Sequence, residues 1–321
     1  MPISRAWAQP IFIAGTTAVG KSEIAVRLAE LIGGEIVSVD SMQVYRGMDI
    51  GTAKPSAEEL ARVAHHVIDV VNVTETFDAA QFLRLAKAAV SEIQARGRVP
   101  ILCGGTGLYF KVFLEGVGEA PPADPALRAE LAAAPLPVLL AELAERDPLT
   151  FRKVDRQNAR RVIRAVEVIR LTGKPFSEQR SAWTAPAAAG TVHPAWALGI
   201  SRSPNQLRER IDERADRMFR RGLVQETKNL LQHGLDGNTG ALQALGYRQV
   251  KEHLCGERSL AETIELVKIR TRQFAKRQMT WFRGQMNLDW IALKPEDRLE
   301  AVAEDLARKW QDSQNGKKVE A

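Results

Sequence analysis

Residues Gly15 to Ser22 read GTTAVGKS, the spacing GxxxxGK[ST] of a loop that wraps phosphate groups. In such a loop Gly15 and Gly20 let the chain turn tightly, so that the amides of Thr16, Thr17, Ala18, Val19 and Lys21 converge on one anion. The start of the following helix adds its dipole. Lys21 supplies a point charge, and the Ser22 hydroxyl is the expected ligand of a Mg2+ ion bridging phosphate oxygens. The sequence therefore predicts a di- or triphosphate ligand together with Mg2+.

ATP or GTP is the ordinary occupant of this loop, which makes a nucleotide kinase or ATPase the default reading. Those enzymes pair the loop with an acid at the end of another strand. Here the apolar run Val99 to Cys103 leads into Gly104, Gly105, Thr106 and Gly107, with no carboxylate. The strand-end acid nearest the loop in sequence is Asp40, which follows Glu35 to Val39. A carboxylate there suits general-base work. A cap on a helix and a ligand to metal-bound water are the other roles open to it.

These residues need a frame that brings strand ends together. Short β-branched runs at Ile11 to Ala14, Glu35 to Val39, Val67 to Val70 and Val99 to Cys103 alternate with helical periodicity at Lys21 to Ile32 and Ala79 to Ala95. That rhythm predicts an α/β fold, a parallel sheet flanked by helices. After Gly116 prolines interrupt Ala- and Leu-rich segments, so residues 119–197 are read as a mainly helical insertion between core segments 1–118 and 198–321. Trp196 to Ile200 is a returning strand, Asn205 to Arg221 and Ser259 to Arg283 are long helices, and Asn287 to Leu293 is an edge strand. The polar tail from Ser313 to Ala321 is expected to fray.

No apolar run reaches the roughly 18 residues needed to cross a bilayer, and Met1 to Gln9 is too short and polar for a signal peptide. A cytoplasmic protein is expected. Cys103 and Cys255 have no cysteine partner nearby in sequence, which excludes a zinc set and leaves both as expected buried thiols. The net charge of +6 is unevenly placed. Residues 1–118 carry 11 Lys and Arg against 12 Asp and Glu, whereas residues 198–283 carry 17 against 10. Lys268 to Arg283 holds six basic residues and no acid, with Lys268, Arg272 and Lys276 recurring on one helical face and Arg283 two turns on. Such a stripe suits a polyanion such as RNA, with Trp281 available to stack a base.

Further blocks follow the phosphate loop in order: DSMQVYRGMDIGTAKP at 40–55, HHVID at 65–69, GGTGLYFK at 104–111, PADPALR at 122–128, RRVIRAVEV at 160–168, LGYRQ at 245–249 and KRQMTWFRG at 276–284. Together these resemble the tRNA dimethylallyltransferase family, also called tRNA isopentenyltransferases, over about Ile11 to Arg283. Departures are small. Thr16 stands where the family often has Pro, Val19 where it often has a small hydroxyl residue, and Ala64 where Pro commonly precedes the paired histidines. The zinc finger of eukaryotic relatives is absent, which points to the short, bacterial type.

The resemblance implies transfer of the dimethylallyl group of dimethylallyl diphosphate to the exocyclic amine of the adenosine beside the tRNA anticodon, in tRNAs that read codons beginning with U. The phosphate loop would then hold the leaving diphosphate. Asp40 takes the general-base role, Thr106 approaches the oxygen that links allyl group and phosphate, and Arg128 reaches the substrate. Asp40, Ser41, Met42 and Gln43 are implied to hold the target adenosine and its neighbour, Gln43 through its amide. Arg160, Arg161, Val162, Ile163 and Arg164, then Gly246, Tyr247 and Arg248, then Lys276, Arg277, Gln278, Met279, Thr280, Trp281, Phe282 and Arg283 are the implied contacts to the anticodon stem-loop. His65 and His66 are read as structural. A monomer is expected. A kinase or ATPase, and an enzyme that prenylates free adenine nucleotides, are the alternatives. The missing strand-end acid argues against the first, and the basic second half and helical insertion against the second.

Overall fold

The computed structural model describes residues 9–117, 120–179 and 196–319. The chain divides into two compact units, one of Met1–Leu114 with Val192–Ala321 and one of Glu115–Thr191. The first half of the main unit contains β1 (Ile11–Gly15), α1 (Lys21–Ile32), β2 (Gly34–Val39), α2 (Ala57–Arg62), β3 (His65–His66), α3 (Ala79–Ala95), β4 (Val99–Gly104) and α4 (Gly107–Glu115). In the inserted unit are α5 (Pro125–Ala133), α6 (Leu136–Arg146), α7 (Pro148–Lys153), α8 (Ala159–Thr172) and α9 (Phe176–Gln179). The main unit resumes with β5 (Trp196–Arg202), α10 (Pro204–Arg220), α11 (Leu223–Gln232), α12 (Tyr247–Leu254), α13 (Leu260–Gln285), β6 (Asp289–Leu293) and α14 (Leu299–Val319). None of the described helices is long and apolar enough to cross a membrane.

The six strands form one sheet in the order β3-β2-β4-β1-β5-β6, with every pair parallel. A parallel sheet is covered on both faces, which explains why β1, β2 and β4 are buried along their whole length instead of alternating. Phe12, Phe82, Tyr109, Phe110 and Phe282 pack on one face, and Ile13, Ile24, Leu28 and Leu306 on the other. α3 and α13 start on capping boxes, Asp78 with Gln81 and Ser259 with Glu262, which satisfy amides that no helix can pair internally.

Four expectations are corrected. The segment Val67 to Val70 is not a strand: β3 ends at His66, and Val67 and Asp69 take positive φ of 62° and 54°. Its backbone bonds go to the loop after β2, from Asp69 N to Gln43 O and from Val70 N to Val44 O, so it braces that loop instead of extending the sheet. Lys54 locks the arrangement through Tyr45 O, Asp49 and Asp69. The tail does not fray at Ser313, because α14 continues to Val319, beyond which residues 320–321 lie outside the described part. Cys103 is buried as expected, but Cys255 is exposed. The break placed after residue 197 falls inside β5, where Ala197 pairs with Phe12.

The histidines are structural in one respect that the sequence did not show. Glu35 on β2 is nearly enclosed and lies between His66 Nε2 at 2.7 Å and the guanidiniums of Arg96 at 2.7 Å and Arg98 at 3.6 Å. Burial alone would raise its pKa, but the bonds from Arg96 and His66 outweigh that, and the carboxyl sits below its ordinary 4.5. A lowered folded-state pKa contributes stability above the unfolded value and loses it as pH falls through the folded one. Glu35→Gln is therefore expected to cost about 1–3 kcal/mol at pH 7. In urea titrations the gap from wild type should begin to shrink as the pH falls below about 4.5, where Glu35 protonates in the unfolded chain, and go on shrinking through the lower folded-state value.

Candidate active site

Register fixes the site. Ala14 of β1 and Val39 of β2 both pair with Gly104 of β4, so Gly15, Asp40 and Gly105 leave the sheet at one level, at its C-terminal edge. Open α/β sheets hold their ligands at this edge. The approach is close: a side chain at Gly104 would meet Val39 O at 2.0 Å, and one at Gly105 would meet Gln278 Nε2 at 2.4 Å. The glycine pair after β4 is thus a packing requirement, and it leaves no room for an acid.

The phosphate loop is pinned from outside. Gly20 has φ 106° and starts α1, and Ala18 also takes a positive φ, 62°. A non-glycine residue there is strained. The strained turn is held by two arginines: Arg210 Nε donates to Ala18 O at 2.9 Å and Arg202 Nε to Val19 O at 3.0 Å. Lys21 Nζ donates back to Thr16 O at 3.2 Å. Thr16 and Val19 are buried, so they act through their backbone. Thr17 N donates to Gln278 Oε1 at 2.9 Å and is therefore not directed at an anion, which corrects the expectation for that amide.

The loop forms one wall of a cleft of about 370 Å³, opposed by Asp40 to Gln43, Thr106, Arg214 of α10, and Phe274 and Arg277 of α13. Lys21 and Arg214 both face it, and among the described residues neither forms an ion pair. Burial lowers the pKa of each. The charge of Asp40 pulls in the opposite direction on both, while the positive charge of Arg214 further depresses Lys21. Two half-buried cations facing one carboxylate leave positive charge for a ligand to neutralise.

Asp40 and Thr106 are stitched together. Asp40 Oδ1 accepts from Met42 N at 2.8 Å and Gln43 N at 3.3 Å, while Thr106 Oγ1 accepts from Ser41 N at 3.2 Å and Thr106 N donates to Val39 O at 3.1 Å. Asp40 is therefore a cap on its own loop through one oxygen, and Oδ2 keeps its lone pairs for a ligand. Gln43 is not the free amide expected for an adenine edge. Its Nε2 donates to Thr52 O and Ala53 O at 3.3 and 3.2 Å, and its Oε1 accepts from Ser38 Oγ at 2.8 Å.

Several other expected RNA contacts are framework. Gln278 bridges the loops after β1 and β4, with Nε2 donating to Gly105 O at 2.8 Å. Tyr247 is fully buried, donating to Glu226 at 2.6 Å and accepting from Gly51 N at 3.1 Å, and Gly246 is buried beside it. Phe282 lies in the core against Phe110, and Trp281 packs onto Gly107, where a Cβ would come within 2.1 Å of its ring. Lys276, Arg277, Thr280, Arg283 and Arg248 are exposed and Met279 is half-buried. The basic stripe is partly neutralised: Lys268 pairs with Asp216 and Glu265, and Arg272 with Asp212.

Within the inserted unit, Val162 is fully buried in a core with Leu139, Leu143 and Val166, and Ile163 packs at its edge. The buried Glu167 receives Arg128 Nε at 2.9 Å and Arg164 at 2.7 Å, so both guanidiniums are anchored to a carboxylate. Arg164 also donates to Pro121 O at 2.6 Å. Arg160 and Arg161 are exposed. The sequence reading missed Arg202, Arg210 and Arg214. Helical spacing sets Arg210 and Arg214 on one face, but α10 also carries Arg208, Arg217 and Arg220, and nothing in the spacing alone distinguishes the inward pair.

Residues 43–285 match the model of the IPP transferase family. The chain belongs to that family. A tRNA dimethylallyltransferase of Geobacter sulfurreducens is 45% identical over 289 residues, covering 88% of this chain and 91% of the relative. That of Geobacillus kaustophilus is 40% identical over 301 residues, covering 92% and 94%. The crystal structure of a tRNA isopentenylpyrophosphate transferase from Bacillus halodurans superposes with TM-score 0.68 at 35% identity, covering 96% of this chain and 99% of that one. A eukaryotic dimethylallyltransferase acting on tRNA gives 0.73 at 30% identity, covering 88% and 74%. The parallel sheet with its phosphate loop and flanking helices is the IPP transferase fold, and the chain is a transferase of that family.

Proposed function

We propose that the chain transfers the dimethylallyl group of dimethylallyl diphosphate to the exocyclic amine of the adenosine 3' to the anticodon, in cytoplasmic tRNAs reading codons that begin with U. The observation that carries this reading is the pairing of Lys21 and Arg214, two half-buried cations without ion partners among the described residues, with a single carboxylate lining the same cleft. A diphosphate neutralises the cations, and the carboxylate is left to take a proton. As the allylic carbon–oxygen bond breaks, its electron pair goes to the diphosphate, where Lys21, Arg214 and the loop amides meet the growing charge. The amine nitrogen forms the new bond to carbon, and its proton passes to Asp40 Oδ2. Thr106, whose hydroxyl oxygen is held beside Asp40 by Ser41 N, supplies the hydroxyl for the bridging oxygen.

Mg2+ fits this site. Ser22 lines the cleft beside Lys21 with an exposed side chain, and its hydroxyl would hold the ion, with ligand oxygens and water completing the shell. Among the described residues no group of three His, Cys, Asp or Glu is arranged for a metal. When bound, the ion supplies further neutralisation of the diphosphate oxygens.

Incubating the protein with unmodified tRNA and either dimethylallyl diphosphate or ATP, followed by nucleoside analysis, tests the proposal. Isopentenyladenosine is expected with the first donor. Its absence, or turnover of ATP in its place, would overturn the reading. Because Arg210 fixes the strained Ala18 turn, Arg210→Ala is expected to raise KM for dimethylallyl diphosphate about tenfold, the loss of roughly one hydrogen bond from a charged donor. KM for tRNA should stay within twofold, as steady-state kinetics with each substrate varied in turn would show.

A further inference from the structure

Next to the catalytic cleft, between α12 and α13, lies a second groove of about 430 Å³. Gln243 and Leu245 line both cavities, so a chain leaving the cleft on that side passes directly into it. Three guanidiniums border the groove, Arg248, Arg258 and Arg270, against one carboxylate, Glu252. Glu252 holds two of them at once: Oε1 accepts from Arg248 Nε at 3.0 Å, and Oε2 pairs with Arg258. Each has further N–H groups beyond that bond, now in a fixed position. Guanidiniums already held in place lose little freedom when they take up a phosphate. Leu245 and Leu266 give the groove an apolar part.

The charges of α13 favour the same path. On the side facing α10, Asp212 and Asp216 neutralise Arg272 and Lys268. Among the described residues the partner of Arg270 is the neutral Gln273, and four residues on the exposed Phe274 ring lies under the Arg277 guanidinium at 5.9 Å from its centroid. Arg270, Phe274 and Arg277 share one helical face, running from the groove to the rim of the cleft.

We propose that Arg258 and Arg270 extend the RNA contact that the family resemblance already implies at Arg248 into a backbone subsite for the single-stranded RNA beside the target adenosine, the groove holding one or two of its phosphates as the strand leaves the cleft. This rests on the tRNA prenylation reading above. Single-stranded RNA presents phosphates that arginines meet, while its splayed bases favour aromatic and apolar surfaces such as Phe274 and Leu266.

The experiment measures Kd of the full chain for an unmodified anticodon stem-loop across a range of salt concentrations, with kcat and KM for dimethylallyl diphosphate measured alongside. Arg270→Gln alters an exposed residue without a charged partner. It is expected to weaken stem-loop binding three- to tenfold and to reduce the salt slope by about 0.7–1, with KM for the donor unchanged. Arg258→Gln removes a second guanidinium of the groove and is expected to weaken stem-loop binding and lower the salt slope to a similar extent. Unchanged Kd and slope for both variants would overturn the proposal while leaving prenyl transfer intact. Failure of the wild-type protein to modify tRNA at all would instead overturn the function on which it rests.

Discussion

Asp40→Asn is expected to lower kcat by about 10²- to 10⁴-fold, the usual contribution of a positioned general base, with Kd for tRNA and dimethylallyl diphosphate close to wild type. The structure makes Asn a better choice than Ala. Asp40 Oδ1 accepts from the amides of Met42 and Gln43, and a carbonyl oxygen can keep both bonds while the amide nitrogen in place of Oδ2 accepts no proton. Asp40→Ala would remove the cap and the base together, and loosen Ser41 to Gln43. Single-turnover prenylation measured beside equilibrium tRNA binding separates the two effects. If Asp40→Asn kept near-normal turnover and Asp40→Ala did not, Asp40 would be a cap only and the base would lie elsewhere.

Lys21→Met is expected to lower kcat by about 10²- to 10³-fold, the range for removing one donor from a preorganised anion site. The free protein should become more stable at the same time. Burial disfavours the Lys21 ammonium, as its lowered pKa records, and its one hydrogen bond goes to a backbone carbonyl at Thr16. Replacing a half-buried charge without an ion partner by an apolar side chain of similar length should contribute up to about 1 kcal/mol, or roughly 2–4 °C in Tm. Differential scanning calorimetry of the two proteins without ligand is the measurement. A lower Tm for Lys21→Met would mean that the ammonium stabilises the loop, and that the cleft lacks the positive excess argued here. Opposite changes in activity and stability are the signature of a residue kept for its ligand.

The cleft also explains the chemistry of Cys103. Its thiol sits at the end of β4, 3.7 Å from Lys21 O, and burial raises its pKa to about 11 in spite of the neighbouring ammonium. A thiol held neutral in this way is inert as a nucleophile near neutral pH. Its place beside Lys21 is therefore one of packing.

Most of the sheet, the phosphate loop and the candidate base are legible in the residues alone, because each depends on local pattern. Short continuous apolar runs bounded by turn residues read as strands buried on both faces, GxxxxGK[ST] has its geometry written in its glycines, and an acid directly after a strand lies at the sheet edge. What the tertiary structure decided are the relations between distant segments. Which arginines of α10 face the loop depends on how that helix packs, and a run of arginines looks alike on every face. Tyr247, Gln278 and Phe282 sit in motifs that suggest RNA contact, yet they are buried because α12 and α13 cross the loops after β1, β2 and β4. Val67 to Val70 has strand composition but bonds to Gln43 and Val44, partners more than twenty residues away that no local propensity encodes. Lys268 and Arg272 form a basic stripe in sequence and a neutral one in space, since Asp216 and Asp212 arrive from another helix. Charge and burial are properties of neighbours, and those neighbours come together only when the chain folds.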